Sequence, residues 1–313
     1  MKPRVIDLSL FFNEFDLLEL RLKTLYDVVD YFVVVESTQT FSGKEKSLLL
    51  GQSLQRFSQY FDKLRYYPLT KFDYRKLQQL QYRHYSTARN LRLRHKHHGS
   101  KPSQLHKSVQ REIMQRDGAV LALLNFAQPE DLILLSDADE IASPGTVSTL
   151  VKQEIEVPHY LSMDWYIYYI NNRVPAPWIG TVAFKLKHLA GHSLDQFRLG
   201  SCNISDAPGP LVERAGWHFS YLGGEELIAT KLEALAFQGI KASLLIGIIK
   251  VWSAYLKISL KTNRDLLFQG RQFKRVLIDE SYPKPLLDDP DLIARYSAPQ
   301  SANATVGGDH STL

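Results

Sequence analysis

Residues Asp131 to Ile141 read DLILLSDADEI, an apolar run that ends abruptly in Ser136, Asp137, Asp139 and Glu140. Four consecutive aliphatic residues, Leu132 to Leu135, suit a strand inside a sheet that is covered on both faces. Ligands of open α/β sheets sit just beyond the carboxyl ends of the strands. Carboxylates gathered there suit a hard divalent cation, Mg²⁺ or Mn²⁺, held by one or two acids and by the phosphate oxygens of a substrate. Helix capping is the plainer alternative, because Ser143-Pro144 follows and can open a helix. Three acids in four positions exceed what a cap requires.

Working outward, the chain alternates strand and helix. Val5 to Phe12 reads as a first strand, Asn13 as the cap of a helix with Leu18, Leu22 and Leu25 on one face, and Val28 to Glu36 as a second strand. The connection is long enough for a right-handed parallel crossover. Phe57 to Asp62 is a short amphipathic piece before a third strand, Leu64 to Tyr67, and a helical pattern from Ser108 to Asn125 leads into the acidic strand. The expected fold is therefore α/β, a mixed sheet flanked by helices. Beyond it, Tyr160 to Ile170 and Val182 to Leu186 are strand-like, with a Pro-rich loop from Arg173 to Gly180 between them. GWHFSYLGG, Gly216 to Gly224, precedes a helix over Glu225 to Gln238, and Leu244 to Leu267 is helical again. The expected divisions are a main domain over 1–240, a helical C-terminal extension over 241–297 and a disordered tail over 298–313.

At 313 residues with 44% hydrophobic and 23% charged residues, the chain has the composition of an ordinary soluble globular protein. The single cysteine, Cys202, excludes an internal disulfide. The start has no signal-peptide pattern, and Ala242 to Leu260 is broken by Lys250 and Lys257, so a cytoplasmic location without a membrane span is expected. Arg83, Arg89, Arg92, Arg94, Lys96, Lys101 and Lys107 lie among five histidines with no acid between them. Stacking aromatics are sparse there, so nucleic acid is not the expected partner.

Four segments, FFNEFDLLELRL from Phe11, YDVVDYFVVVEST with TFSGK between Tyr26 and Lys44, LILLSDADEI, and AGWHFSYLGGEELIATKLEA from Ala215, together resemble glycosyltransferase family 17. This is the family of the β-1,4-mannosyl-glycoprotein β-1,4-N-acetylglucosaminyltransferase. The resemblance implies a GT-A-like (Rossmann-like) fold, a UDP-sugar donor, UDP-N-acetylglucosamine first, a saccharide or glycoconjugate acceptor, and inversion at the anomeric carbon. It also implies that Asp137, Asp139 and Glu140 form the DxD-type motif holding Mn²⁺ (or Mg²⁺) against the donor diphosphate, Asp139 most directly; His218, beside Trp217 and Phe219, could supply a further ligand or be a packed, hydrogen-bonded core histidine.

The residues themselves suggest the remaining roles. Asn13 and Glu14 end the first strand and Glu36 the second, where a nucleotide would sit, although Glu36 could equally cap a helix or form a salt bridge. Arg111 and Arg116 could pair with phosphate or line an exposed helix face, and Asp137 could instead bind ribose. A general base for the acceptor hydroxyl is sought among Glu225, Glu226 and Asp164, Glu225 first, at a helix start whose dipole keeps a carboxylate ionised. Trp178 is the aromatic expected at the acceptor sugar. Two alternatives are a DxD-type phosphatase or phosphotransferase, in which the first Asp normally ends the first strand of the domain, and a noncatalytic carbohydrate-binding protein. A Ca²⁺ loop is disfavoured, because its sixth and twelfth positions would be Ala142 and Ser148.

Overall fold

Parallel strands buried on both faces need apolar side chains at consecutive positions, and three segments supply them: β1 (Val5–Phe11), β2 (Tyr31–Ser37) and β4 (Leu132–Asp137). The structure, a computed structural model, describes residues 3–71, 73, 107–124, 126–198, 203–223, 258–260, 262–265 and 271–298. With β3 (Leu64–Leu69) they make the parallel half of a mixed sheet, in the order β3-β2-β1-β4. The other half continues through β7 (Asn172–Lys185), β6 (His159–Ile167), β9 (Gly216–Ser220) and β5 (Glu140–Ala142). β7 is antiparallel to both β4 and β6, β9 is parallel to β6, and β5 is antiparallel to β9.

Alternate residues of the central strands feed two apolar layers. Val5, Phe32, Val34, Leu132 and Leu134 face helix α1 (Phe15–Leu25), which buries Leu17, Leu18, Leu20, Leu22 and Leu25 against them. Ile6, Leu8, Val33, Val35, Ile133 and Leu135 face the opposite layer, with Ala119, Leu121 and Leu123. That layer follows a helix over Lys107–Gly118. At the amino ends, Arg4 clamps Asp131 through Nη2 to Oδ2 at 2.5 Å and Nε to Oδ1 at 3.1 Å, tying the starts of β1 and β4 together.

Several expectations need correction. β2 begins at Tyr31, because Val28 and Val29 close the turn after α1 with N–H bonds to the Leu25 carbonyl. Asn13 does not cap α1. Glu14 holds the N-cap position, and its Oε2 accepts from the backbone N–H groups of Phe12 and Asn13 at 3.1 and 3.0 Å. The Pro-rich stretch from Arg173 to Gly180 is not a loop but the middle of the 14-residue β7. Pro175 and Pro177 are tolerated there because the β6 pairing is irregular between Met163 and Trp165, and β4 pairs only with Val182 to Lys185.

The expected helix over Glu225 to Gln238 lies outside the described residues, as does most of the one expected over Leu244 to Leu267. The latter ends early, since Arg264–Asp265 is a short strand. The final segment packs back on the main layer. Lys274 and Arg275 pair with β7, the Tyr282 hydroxyl donates to the Ile170 carbonyl at 2.9 Å, and short helices form over Lys284–Leu287 and Pro290–Tyr296. Ala298, at the head of the expected tail, is buried and its N–H reaches Asn171 Oδ1 at 2.9 Å. Among the described residues no helix is long and apolar enough to cross a membrane.

Candidate functional site

β4 delivers its acids to the carboxyl edge of the parallel strands, and the turn over Ala138 and Asp139 then folds the chain into β5. The Ala138 N–H donates to the Leu10 carbonyl at 3.2 Å, and the Phe219 N–H donates to the Asp139 carbonyl at 2.9 Å. β5 pairs Glu140 with His218, Ile141 with Trp217 and Ala142 with Gly216. Gly216, at φ 149°, is required there, since a Cβ would collide with the Ile141 carbonyl and the Ala142 backbone. Ser143 caps the next helix, Pro144–Lys152, by accepting from the Thr146 N–H at 3.1 Å, so the cap is separate from the acids.

The three acids have different surroundings. Glu140 is fully buried: Oε1 accepts from Trp178 Nε1 at 2.5 Å and from Arg198, and Oε2 accepts from Thr181 Oγ1 at 3.1 Å. Asp137 is a third exposed and lies between two arginines, 2.8 Å from Arg198 Nη2 and 3.2 Å from Arg116 Nη2. Asp139 is nearly buried, and its Oδ1 is 3.6 Å from His218 Nε2. The His218 ring lies 4.6 Å from Trp178 and 6.1 Å from Trp165, centroid to centroid. Gly180 leaves the room this packing needs, because a Cβ there would collide with Glu140 Oε1, Arg198 Nη1 and Trp178 Nε1.

Burial opposes the charge on Arg198, but Asp137 and Glu140 outweigh it and hold its pKa above the ordinary arginine value. Arg116 behaves likewise, with burial outweighed by Asp137, Glu112 and Asp195. Both guanidiniums stay charged and set Asp137 and Glu140 in place. Arg116 thus reaches the acidic turn rather than an exposed helix face. Arg198 was not legible in the sequence, since DQFRLG carries no motif and its role arises only through contact.

Of the residues expected on the nucleotide side, Glu36 lies at the end of β2, and Arg111 and Arg116 lie on the helix Lys107–Gly118. Glu36 takes the capping role: Oε1 accepts from the Leu49 N–H at 2.7 Å and Lys46 Nζ at 2.8 Å, while Oε2 accepts from the Leu50 N–H and the Tyr66 hydroxyl at 3.1 and 3.0 Å. Arg111 Nη1 donates to the Phe41 carbonyl at 3.2 Å, and Gln115 Nε2 to the Gln39 carbonyl at 2.6 Å. The Arg111 guanidinium fills the space where a Cβ on Gly43 would stand, and Gly43 has a φ of 93°. TFSGK thus folds as a loop tied to the helix that carries Arg116.

Asp164 stands opposite Trp217 in the β6–β9 register, one position from the Trp165–His218 pair, and it is ion-paired with Arg173. Neighbouring strand positions face opposite ways, which turns Asp164 away from His218. Trp178 sits in β7, half-buried, rather than in a loop. Glu225 and Glu226 lie outside the described residues, as does the basic segment except Lys107.

The description of glycosyltransferase family 17 matches residues 1–222, which include every segment of the acidic edge. The chain belongs to glycosyltransferase family 17. It is therefore a glycosyltransferase, acting between a sugar donor and an acceptor. No curated protein sequence matches the chain.

Among the described residues no three His, Cys, Asp or Glu side chains converge as a metal-ligand set. Two do approach each other, Asp139 and His218. An oxygen and an imidazole nitrogen suit Mn²⁺, and a cation that completes its shell with substrate phosphate needs only one or two protein ligands.

Proposed function

We propose that this member of the family transfers a sugar, N-acetylglucosamine first, from a UDP-sugar to a saccharide hydroxyl with inversion at the anomeric carbon. The observation that carries the reading is the Asp139–His218 approach at the carboxyl edge of β4. The order β3-β2-β1-β4 followed by antiparallel strands supports a GT-A-like classification. Asp139 and His218 would hold Mn²⁺ or Mg²⁺, which when bound neutralises charge on the departing UDP. Arg111, which packs against the TFSGK loop five positions before Arg116 on the same helix, is the donor-phosphate candidate. Asp137, Glu140, Arg116 and Arg198 form a charged network in the same turn.

The base must take the acceptor hydroxyl proton on the face opposite UDP. The ion pair and orientation of Asp164 favour Glu225, with Glu226 beside it. Trp178, fixed by its indole N–H on Glu140, offers an aromatic surface to the acceptor sugar.

The test is UDP release from a panel of UDP-sugars with and without Mn²⁺, first as hydrolysis and then with oligosaccharide acceptors. UDP release that depends on the cation and rises with an acceptor is expected. Release of inorganic phosphate would instead establish the phosphatase reading. With only two converging protein ligands, Mn²⁺ should bind weakly to the protein alone and at least about 10-fold more tightly with UDP present. Titration calorimetry with and without UDP checks this.

A further inference from the structure

Helix α1 places one charged residue, Arg21, on its buried face, with a side chain 1% exposed. Its partner Asp7 lies in the middle of β1 and is 0% exposed. The pair is bidentate, with Arg21 Nε to Asp7 Oδ2 at 2.6 Å and Nη2 to Oδ1 at 2.5 Å. A stability role alone explains such a pair poorly, since burying two charges costs several kcal/mol, of order what their attraction returns. The rest of the guanidinium is aimed at the acidic turn. Nη2 also donates to Ser136 Oγ at 2.5 Å, and Nη1 donates to the Glu140 carbonyl at 2.5 Å and the Asp137 carbonyl at 3.3 Å.

We infer that Arg21, oriented by Asp7, is a positioning residue that sets the backbone of the turn 137–140 and thereby the direction of Asp139. The inference rests on the reading of that turn as the donor and cation site. The two sides of the turn are handled differently. Arg116 and Arg198 bind its side chains from one face, and Arg21 binds its carbonyls from the other. Only a planar fork reaches a carboxylate, a hydroxyl and two carbonyls together. Lysine, with one ammonium, can keep the charge beside Asp7 but not the whole set. Outer-shell groups that orient a ligand shift affinity without touching substrate.

The experiment compares the parent, Arg21→Lys, Ser136→Ala and Tyr282→Phe. The last removes a buried hydroxyl bond to the Ile170 carbonyl and serves as a stability control. Amide hydrogen exchange is followed in peptides covering 132–142, and binding of UDP with Mn²⁺ is measured by calorimetry. Arg21→Lys should speed exchange in the turn and weaken UDP–Mn²⁺ binding by roughly 10-fold. Ser136→Ala, which removes one partner and decides the matter if Arg21→Lys does not fold, should give about a 3-fold loss in the same direction. Exchange and binding no different from Tyr282→Phe would overturn the inference. A parent that binds no UDP with any cation would instead remove the proposed function, and exchange in the turn would still decide whether Arg21 positions it.

Discussion

Among the described residues, two carboxylate–arginine clusters stand in contrast, and only one has the makings of a site. At the acidic turn, Arg21 and Arg198 are 1% exposed and hold groups at the carboxyl edge of buried strands. At the start of α1, Asp16 binds Arg56 at 2.6 Å, Arg295 at 2.6 Å and the Tyr296 hydroxyl at 2.8 Å, but Arg56 and Arg295 are 42% and 59% exposed. The second cluster fastens the C-terminal helix to α1 and spends its charge on that contact. The first leaves Asp139 beside an imidazole, with Asp137 and Glu140 already paired to arginines. Charge density alone does not mark a site; orientation by buried groups does.

The sharpest way to break this comparison is Asp139→Asn. Transfer should fall on the order of 100-fold or more, because a neutral amide replaces the carboxylate proposed to hold the cation against the donor diphosphate, while the melting temperature stays close to the parent's. Full turnover with unaltered Mn²⁺ and UDP binding would place the site elsewhere. His218→Ala should cost roughly 10- to 100-fold in kcat/KM together with cation affinity. A lowered melting temperature with unchanged affinity would make it a packing histidine between Trp165 and Trp178.

Gly180→Ala tests the packing behind the acids. The added methyl has to displace Glu140, Arg198 and Trp178, so unfolding in urea should show a loss of about 1 to 3 kcal/mol. The smallest effect belongs to the exposed cluster. Asp16→Asn should cost about 1 kcal/mol or less and leave transfer unchanged.

Acidity separates the clusters further. Burial acts to raise the Asp16 pKa, but Arg56, Tyr296 and Arg295 outweigh it and hold the carboxyl below its ordinary range. A carboxyl depressed in the folded state stabilises above its unfolded pKa of about 3.9, and that contribution is lost as pH falls through the folded value. The difference in melting temperature between parent and Asp16→Asn should therefore be full near neutrality and vanish in strong acid. A difference that persists there would show that Asp16 acts through shape instead of charge.

What the sequence disclosed and what it withheld divide along the same physical line. β1, β2, β4 and α1 were legible because burial on both faces, or on one stripe, leaves an unbroken or periodic apolar pattern. The acidic turn was legible because its charges interrupt that pattern. β7 was misread because Pro175 and Pro177 signal a loop wherever a strand needs all its N–H groups, and here irregular pairing removed that need. The capping of residues 49–51 by Glu36 was among the roles its position offered, whereas Arg198 beside Asp137 and Arg21 beneath the turn were hidden for a different reason. Each is defined by partners distant in the chain, and no local pattern records such a meeting.

The three-residue pairing of β5 with β9 bears on how the protein is made. The ribosome delivers β1 to β5 well before Arg198 and His218 emerge. In that interval, among the described residues, Arg21 and Arg116 are present to offset Asp137, Asp139 and Glu140 but Arg198 is not, and β5 lacks the strand that will hold it. Contacts across such chain separations form slowly, and an unpaired strand edge is open to other chains. A nascent chain stopped between β5 and β9 should therefore self-associate through that edge. β9 acts as a latch thrown late in synthesis, and maturation of the site becomes a matter of chain length.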